Sequence, residues 1–408
     1  MKCRHCKSEL KLSLINLGSA PPSNAYLSNE KLFSPEKWFP LQVLVCESCW
    51  LVQTEYFIKA DELFDQEYSY FSSVSKSWLK HAEQYVKEII ERFHFNNKSH
   101  IVEIASNDGY LLQYVKKLNI PCTGIEPTNS TAQAARKKGI EIVESFFNEK
   151  LAQKLVDKGK QADLIIANNV LAHVPDINDF VKGVSVLLKP NGIATFEFQH
   201  LLQLINKNQF DTIYHEHFSY LSLNTVQTIF KKNGLQIFDV EEYATHGGSL
   251  RVFARRSDNK VSQVSNGVIN ILKTELESGI MSINFYKKFK ERSNIIKNNL
   301  ISFLIKAYQD HKKVVAYGAA AKGSTLLNYA GIKSDLINYV VDRSLSKQNK
   351  YMPGSRIPIK DESFLKNDNP DYILILPWNL KNEIMTQLED ILPSKVKFII
   401  AIPDLEII

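Results

Sequence analysis

The central part of the chain alternates between short apolar runs and amphipathic stretches. The short runs have the length and composition of strands, and they read HIVEIA, CTGIEP, ADLIIANNV and IATFEFQ. The stretches between them carry apolar residues at helical spacing, as in YLLQYVKKL, STAQAARKKG and FVKGVSVLLKPNG. Strands and helices that alternate in this way predict a parallel, doubly wound sheet over residues 100–200, preceded by a helix over 73–95.

The same alternation returns near the C-terminus, in KVVAYGAAAKGSTLLNYAG, INYVVDR, DYILILPWN and VKFIIAI. It predicts a second α/β unit, and residues 264–312 predict a polar-faced helical connector before it. The N-terminal segment has only short strand-like runs such as LQVLVCESC. We therefore expect an α/β protein with a small N-terminal module (1–65), a Rossmann-like central domain (66–262), and a helical connector with a C-terminal Rossmann-like domain (263–408).

Composition narrows the class of protein without naming a function. The chain has 408 residues, of which 44% are hydrophobic and 23% charged, as in a globular protein with more than one core. No apolar run reaches the ~18 residues of a membrane span. The net charge of +6 is spread out, and a solvated helix face explains its lysine-rich stretches better than nucleic-acid binding does. We expect a cytoplasmic monomer or weak homodimer that binds neither membrane nor nucleic acid, with a charge suited to a small anionic substrate.

Two Cys-X-X-Cys turns, Cys3/Cys6 and Cys46/Cys49, lie near the N-terminus. Each turn can aim two thiolates at one ion, and two turns supply the four sulfurs of a closed tetrahedral zinc site. Disulfides and a thioredoxin-like redox motif are the alternatives. No secretory signal precedes the first pair, and redox turns do not usually occur in twos without a βαβ unit. We expect one structural zinc, which anchors the fold and leaves the chemistry to other residues.

The first strand–turn–helix of the central domain, VEIASNDGYLL, is where a doubly wound sheet binds a nucleotide-like ligand. Dinucleotide enzymes place three glycines here, but this turn has Ala105 and Ser106 before its one glycine, Gly109, so NAD is disfavoured. Glu126 follows the next strand, where a carboxylate can bind both ribose hydroxyls. The pattern favours S-adenosylmethionine, with a ligand-free Rossmann layer as the alternative. The candidate cofactor-binding residues are Glu103, Ala105, Asn107, Asp108, Gly109, Glu126, Pro127 and Asn168.

A second cluster is IYHEHFSY, residues 213–220. If this segment were a strand, His215 and His217 would share one face, but HEH lacks the i, i+4 spacing of zinc proteases. Histidine titrates near neutrality, and neighbouring Tyr and Glu side chains can orient it or carry protons, so acid–base chemistry fits better. A polar surface group before a helix is the alternative. His173, at the ligand-facing end of a strand, would by itself be more typical of a cap than of a catalyst.

A third cluster, AYGAAAKGSTLLNYAG, runs from a strand end at Tyr317–Gly318 into a helix that opens around Ala319–Lys322. Free N–H groups, a positive helix end and a lysine predict a phosphate cradle. The order and spacing of a P-loop are missing. Either a second cofactor or the diphosphate of a substrate would fit this cradle.

Taken together, the motifs resemble one family, the S-adenosylmethionine-dependent C-methyltransferases that act on nucleotide-linked 4-keto-deoxysugars. The resemblance covers essentially the whole chain, through the four cysteines, VEIASNDGYLLQ, NNVLAHVPD, IYHEHFSYLS, HGGSLRVF, YGAAAKGSTLLNY and VDRSLSKQNKYMPGSRIPI. It implies a zinc module, a central domain that binds S-adenosylmethionine, and a C-terminal domain that covers the sugar nucleotide. It also implies methyl transfer to a ring carbon, with C-3 expected, through an enolate in deoxysugar biosynthesis.

The resemblance also implies roles for individual residues. His217 would be the base, Tyr214, Glu216 and His173 would surround the sugar, and Tyr68 would close over the donor or the sugar. The substrate-binding residues would be His246, Ser249, Arg251, Tyr317, Gly318, Ala319, Lys322, Gly323, Asp342 and Lys347. Two alternatives stay open, namely an O-methyltransferase acting on a similar sugar nucleotide and an inactive zinc-ribbon binding protein that has kept the methyltransferase fold.

Overall fold

The computed structural model describes residues 1–55, 57–58, 60–63, 71–259, 263–389, 391–393 and 395–408. Tyr68, expected to close over the donor or the sugar, lies outside the described residues. The α/β fold class is confirmed by three β-sheets with helices packed on them. No helix in the described part of the chain combines the length and apolar character needed to cross a membrane.

The strands include those that the alternation predicts. They are β1 (Leu12–Ala20), β2 (Phe39–Val45), β3 (Val52–Thr54), β4 (Ile101–Ile104), β5 (Cys122–Ile125), β6 (Glu141–Val143), β7 (Ala162–Asn168), β8 (Leu188–Gln199), β9 (Ser219–Tyr220), β10 (Leu235–Tyr243), β11 (Ser249–Arg256), β12 (Val314–Tyr317), β13 (Val340–Val341), β14 (Ile359–Lys360), β15 (Tyr372–Ile375), β16 (Lys397–Ile400) and β17 (Glu406–Ile407).

The helices fill the intervals between these strands. They are α1 (Ala60–Leu63), α2 (Lys76–Phe93), α3 (Leu112–Lys117), α4 (Asn129–Lys137), α5 (Glu149–Asp157), α6 (Ile177–Leu187), α7 (Leu201–Asn206), α8 (Leu223–Lys232), α9 (Asn266–Ser278), α10 (Ile283–Tyr286), α11 (Phe289–Gln309), α12 (Ala321–Ala330), α13 (Leu365–Asp368) and α14 (Lys381–Glu389).

The central sheet has seven strands in the order β10-β11-β8-β7-β4-β5-β6. The five strands from β8 to β6 are parallel, and β10 and β11 extend the sheet as antiparallel partners. Every residue of β4 is buried, as expected of a parallel strand covered by helices on both faces. The carboxyl ends of β4, β5 and β7 therefore meet at one edge, which is where a doubly wound sheet binds its ligand.

The C-terminal sheet has the order β14-β13-β12-β15-β16-β17, with only β17 antiparallel. The N-terminal sheet has the order β1-β2-β3-β9 and is antiparallel throughout. Its fourth strand, β9, comes from the far end of the IYHEHFSY segment. The sheet of the cysteine module is thus completed by the residues that directly follow the histidine cluster.

Shared cores join the three sheets. One apolar cluster contains Val43 of β2, Leu204 of α7, Leu300 of α11 and Leu326 of α12. Apolar side chains of the module, the connector and the C-terminal domain are therefore packed in one core. The connector is also tied down by a buried carboxylate. Glu275 of α9 accepts hydrogen bonds from the first N–H groups of α8 and lies 2.7 Å from a ring nitrogen of His200. A negative charge at a helix N-terminus is favourable, so this contact fixes α9 against the central domain.

Candidate active site

One cavity of about 610 Å³ lies where the central domain, the N-terminal module and the C-terminal domain meet. Many of the site residues predicted from the sequence line it together, namely Ala105, Asn107, Glu126, Pro127, Asn168, His173, Tyr214, Glu216, His217, His246, Lys322 and Lys347. The other described site residues lie outside its wall, namely Glu103, Asp108, Gly109, Ser249, Arg251, Tyr317, Gly318, Ala319, Gly323 and Asp342. The three sequence clusters therefore contribute to a single site.

The turn after β4 lines the cavity through Ala105 and Asn107. Ala105 and Asn107 have φ values of 57° and 49°, so two non-glycine residues adopt the left-handed backbone that glycine-rich turns usually provide. The Asn107 N–H donates to Glu126 Oε2 at 2.9 Å. Gly124, opposite the turn on β5, has no room for a side chain, because an added Cβ would lie 2.4 Å from Ser106 Oγ. Close packing thus compensates for the missing glycines and fixes the turn.

Glu126 is held in place before any ligand arrives. Its Oε1 atom accepts hydrogen bonds of 3.0 Å from the Thr128 N–H and from the Thr131 hydroxyl. Burial raises its pKa above the usual carboxyl value, although these hydrogen bonds lower it. A carboxylate has about four lone-pair sites, and with the Asn107 N–H three are occupied, so about one acceptor site remains for a ligand hydroxyl group.

The Asn168 Oδ1 atom, at the end of β7, is buried and has no hydrogen-bond partner among the described residues. An unpartnered buried carbonyl and a positioned carboxylate, Glu126, in the same cavity wall fit a polar ligand such as a nucleoside with an amino acid tail. Asn168 and Glu126 are thus suited to binding S-adenosylmethionine. Glu103 does not line the cavity and is only 1% exposed, unlike Asn168 and Glu126. Burial raises the pKa of Glu103 well above the usual value.

His217 lies among other aromatic rings in the cavity wall. Its Nδ1 atom lies 2.7 Å from the Thr212 carbonyl oxygen, and its ring centroid lies 3.9 Å from that of Tyr214 and 4.6 Å from that of His173. Burial lowers the pKa of His217 well below 6.5, and the neighbouring His173 lowers it further. Burial likewise lowers the pKa of His173 to about 4, against a hydrogen bond to the Glu216 backbone that raises it. Both imidazoles are neutral at neutral pH.

His215 does not share a face with His217. Residues 214–217 form a turn, because the strand begins only at Ser219. The His215 Nε2 atom lies 3.2 Å from the Phe39 carbonyl oxygen and 3.3 Å from that of Pro40, at the end of the N-terminal sheet. The shared strand face considered from the sequence is therefore wrong, and His215 contacts the N-terminal module.

Glu216 is held by a residue that sequence reasoning missed. The Nδ2 atom of Asn24 lies 2.8 Å and 2.9 Å from the two carboxylate oxygens of Glu216, and both side chains line the cavity. Asn24 belongs to the loop between β1 and β2 of the N-terminal module. The sequence shows only a polar loop there, PPSNAY, which carries no signal for a contact of this kind. The N-terminal module therefore contributes a residue to the cavity wall, in addition to the cysteine group that was expected to anchor the fold.

His246 lies in a tight loop between β10 and β11. It has a φ of 54°, and Gly247 and Gly248 follow with values of 89° and 130°. Its ring is 5.4 Å from that of Trp78, and its Nε2 atom is 3.4 Å from Asn169 Nδ2. Burial lowers the pKa of His246 to about 4. A neutral imidazole is thus presented to the cavity beside an aromatic residue that the sequence did not indicate.

Arg251 does not line the cavity. It was expected to bind the nucleotide, but in this structure its side chain bonds Glu197. It is 1% exposed, and its Nη2 atom donates to Glu197 Oε2 at 2.7 Å. The two residues face each other across β11 and β8. Glu197 also accepts from the Thr245 hydroxyl at 3.2 Å. The buried pair of Arg251 and Glu197 therefore holds Thr245, the residue directly before His246 in the loop.

The C-terminal domain brings two lysines to the cavity. Lys322, in the first turn of α12, lies 3.1 Å from Asn379 Oδ1 and 4.5 Å above the Trp378 ring. Burial lowers its pKa, whereas the nearby Asp211 raises it. Burial also raises the pKa of Asp211 to about 6, and the Trp378 indole N–H donates to this carboxyl at 2.7 Å. Lys347, the second lysine, donates to the Ala319 carbonyl at 2.8 Å.

The predicted phosphate cradle is partly closed. The helix begins at Ala321, and the Ala319 N–H donates to Asp342 Oδ2 at 2.7 Å, so this donor is already satisfied. Tyr317 points away and donates to Glu362 at 2.6 Å. Gly323 packs against Leu376, where an added Cβ would lie 2.7 Å from a methyl carbon. The side of the cradle that faces the cavity is thus limited to the start of α12.

The four predicted cysteines form a compact group. Cys3 Sγ lies 3.6 Å from Cys49 Sγ, Cys6 Sγ lies 3.5 Å from Cys46 Sγ, and all four sulfurs fall within 4.8 Å of one another. Gln53 donates to Cys3 Sγ at 3.3 Å. Four converging sulfurs with no other ligand type fit a closed structural zinc site.

Comparison with known families and proteins agrees with this architecture. Family models match residues 3–64 as a zinc binding domain, 78–240 as a methyltransferase domain and 244–403 as a C-methyltransferase C-terminal domain. The chain belongs to the S-adenosylmethionine-dependent C-methyltransferases that carry an N-terminal zinc domain. It is 33% identical to the C-methyltransferase NovU of Streptomyces niveus over 407 residues, which cover 100% of this chain and 96% of NovU.

More distant similarity is confined to part of the chain. The ubiquinone biosynthesis O-methyltransferase of Bartonella quintana is 21% identical over 155 residues, which cover 34% of this chain and 61% of that protein. Among solved structures, the magnesium protoporphyrin IX methyltransferase of Synechocystis PCC 6803 with bound S-adenosylmethionine aligns with a TM-score of 0.35 and 14% identity. That alignment covers 45% of this chain and 82% of the other.

Proposed function

We propose that the protein methylates a ring carbon next to the keto group of a nucleotide-linked 4-keto-deoxysugar, with C-3 the expected carbon. The observation that carries this proposal is the tautomer of His217, that is, which of its ring nitrogens bears the proton. Its Nδ1 atom faces a carbonyl oxygen at 2.7 Å, so Nδ1 bears the proton and Nε2 is the basic nitrogen. Glu126 and Lys322 line the same cavity as this base, which suits a methyl donor and an anionic substrate bound in one site.

Proton removal is the step assigned to His217. A carbon next to a ketone is acidic, and Nε2 accepts its proton while the electron pair moves onto the ketone oxygen to form an enolate. The imidazolium that results keeps its Nδ1–H bond to the Thr212 carbonyl, which stabilises the positive charge. Bound S-adenosylmethionine supplies an electrophilic methyl group, which the enolate carbon takes while the electrons of the broken C–S bond stay on sulfur.

The neighbours of His217 stabilise and orient the sugar. The Tyr214 ring lies 3.9 Å from the base, tilted by 33°, and its hydroxyl can donate to the developing oxyanion. Glu216 and His173 line the wall beside it and are assigned to the sugar hydroxyls. Lys322 and Lys347 are assigned to the diphosphate, because phosphate recognition favours partly buried cations next to a helix N-terminus. Binding through the nucleotide supplies orientation that a small sugar alone would lack.

The test follows the hydrogen that His217 removes. With a nucleotide-linked 4-keto-deoxysugar in D₂O, the wild-type protein should exchange the hydrogen on the carbon next to the ketone, and His217→Asn should abolish that exchange. Turnover should fall on the order of 10²–10⁴-fold, as for loss of a general base. The matched control is His215→Asn, which removes a histidine two positions away that lies outside the cavity wall.

Two results would overturn the proposal. A His217→Asn variant that exchanges the hydrogen as fast as the wild type would show that His217 is not the base. A product whose NMR spectrum contains a methoxyl signal, rather than a methyl group on carbon, would show that the enzyme methylates an oxygen of this substrate. Both measurements use the intact protein with its zinc.

A further inference from the structure

We propose that Asn24 of the zinc module is a positioning residue that holds the Glu216 carboxylate against the sugar. The inference deepens the proposed function, because it rests on the assignment of Glu216 to the sugar wall. It gives the N-terminal module a direct part in the site, beyond anchoring the fold.

The contact itself is specific. One nitrogen, Asn24 Nδ2, lies 2.8 Å and 2.9 Å from the two oxygens of Glu216, although the two residues are 192 positions apart in the chain. Glu216 is 2% exposed. A buried carboxylate is costly unless hydrogen bonds compensate for the lost water, and an amide N–H directed at both oxygens provides such compensation. The bond thus fixes the carboxylate in its place on the cavity wall.

Asn24 is itself rigidly held. The Ala25 N–H donates to the Pro22 carbonyl at 3.0 Å, which closes a turn around Asn24. On one side of the turn, the Ser23 carbonyl accepts from the Ser324 hydroxyl at 3.0 Å. On the other side, the Tyr26 hydroxyl donates to the Ala319 carbonyl at 2.6 Å. The loop is therefore clamped onto the start of α12 by its backbone and by a tyrosine, and it can serve as a fixed support.

The backbone around Glu216 is supported by the same module. Thr54, at the end of β3, donates its hydroxyl to the His217 carbonyl at 3.0 Å, and its N–H donates to the Phe218 carbonyl at 3.2 Å. Beyond this point β3 pairs with β9. The catalytic turn is thus held through its backbone by β3 and through its carboxylate by Asn24. The contact with Asn24 can be removed by a side-chain substitution that leaves the backbone pairing of β3 and β9 in place.

The substitution Asn24→Asp separates a positioning role from a structural one. It keeps the size of the side chain but replaces the N–H donor with a second carboxylate facing Glu216. At pH 8 the two charges repel, and kcat/KM should fall on the order of 10- to 100-fold. As the pH falls, the pair takes up one proton, an O–H donor returns, and activity relative to the wild type should recover. Asn24→Ala should show the same loss without recovery.

Other titratable groups lie near this pair, since Tyr26 interacts with Glu216, Asp342 and Lys347, His173 bonds the Glu216 backbone, and His217 is the next residue in the chain. Their effects are present in the wild type as well, so the recovery is measured as the ratio of variant to wild type at each pH. The charge control is Asn29→Asp, which adds the same carboxylate to the same loop at an exposed position outside the cavity. It should leave the ratio constant.

Two results would overturn the inference. One is an unchanged kcat/KM in Asn24→Asp and Asn24→Ala. The other is a parallel loss in both variants at every pH together with a lower unfolding temperature, which would mean a structural role only. A readout without turnover keeps this test apart from the proposed function. The Glu216 carboxyl resonance, assigned with Glu216→Gln, should titrate at higher pH in Asn24→Asp than in the wild type, whichever sugar is the substrate.

Discussion

The Nδ1 atom of His217 and the carbonyl oxygen of Thr212 are 2.7 Å apart. Only a ring N–H can approach a carbonyl oxygen this closely, so the contact selects one tautomer. Thr212 is buried at the end of a short 3₁₀ turn, and its own hydroxyl donates to the Gln209 carbonyl at 2.9 Å. The oxygen that selects the tautomer is therefore part of a fixed backbone and does not depend on a titratable partner.

This relationship predicts the protonation state of His217 in the free enzyme. Nitrogen-15 NMR between pH 6.5 and 8 should show a protonated Nδ1 and an unprotonated Nε2, with His217→Asn used to assign the signals. Because burial lowers the pKa of His217 well below 6.5, the base stays neutral down to more acidic pH, and the acidic limb of kcat/KM should lie below 6.5. A proton on Nε2 in the free enzyme would contradict the assignment of this nitrogen as the base.

The second prediction concerns the zinc site. The strand β3 of the zinc module pairs with β9 beside the catalytic turn, so we expect loss of zinc to affect this turn. We expect one zinc per chain by elemental analysis of freshly purified protein. Removal of the metal by a chelator, or by Cys3→Ser, should lower the unfolding temperature, since closed zinc sites contribute folding energy. It should also raise amide hydrogen exchange over residues 214–220. Unchanged exchange in zinc-free protein would show that the central domain alone orders this segment.

The fold could be predicted largely from the sequence. Strand–helix alternation is a local pattern, and it identified the strands β4, β5, β7, β8, β12, β13, β15 and β16. It missed β6, β10, β11, α5 and α8. The strand β6 has only three residues, Glu141–Val143, and its side chains are not fully buried at the sheet edge. Edge strands of this kind lack the continuous apolar run on which the prediction depends.

The site could be predicted only where the topology alone brings residues together. Residues that follow parallel strands, such as Glu126 and His173, meet at one edge whatever the details of packing. Contacts that depend on register or on docking could not be found in this way. Arg251 faces Glu197 only because β11 and β8 pair in one register, and Asn24 reaches Glu216 only because the module docks there.

Glu126 gives a third prediction, for the methyl donor. Glu126→Gln should weaken binding of S-adenosylmethionine by about 1.5–3 kcal/mol, the usual contribution of hydrogen bonds to a charged group. Burial raises the pKa of Glu126, so in the wild type affinity should begin to fall at a higher pH than for an ordinary carboxyl as the pH is lowered. Calorimetry measures both effects. The control is Glu144→Gln, an exposed carboxylate near the same sheet edge that is bonded to Arg136, and an equal loss in both variants would rule out a specific role.

The last prediction concerns Lys322 and the diphosphate of the sugar nucleotide. Lys322 lies in the first turn of α12, where its ammonium group is 3.1 Å from Asn379 Oδ1 and faces the cavity shared with His217. Lys322→Met keeps most of the aliphatic chain and removes the charge. The dissociation constant of a nucleoside diphosphate should rise on the order of 10- to 100-fold, as expected for loss of a charged hydrogen bond to phosphate.

Two comparisons make this prediction specific. Lys333→Met removes a lysine of the same domain that bonds the Gly354 carbonyl outside the cavity, and it should leave diphosphate affinity unchanged. Burial lowers the pKa of Lys322, so wild-type affinity should decline at alkaline pH before an exposed lysine would lose its proton, and Lys322→Met should lack this decline. Affinity for S-adenosylmethionine should stay the same in all three proteins. Equal diphosphate binding by wild type and Lys322→Met would place the phosphates elsewhere on the cavity wall, with Lys347 as the next residue to test.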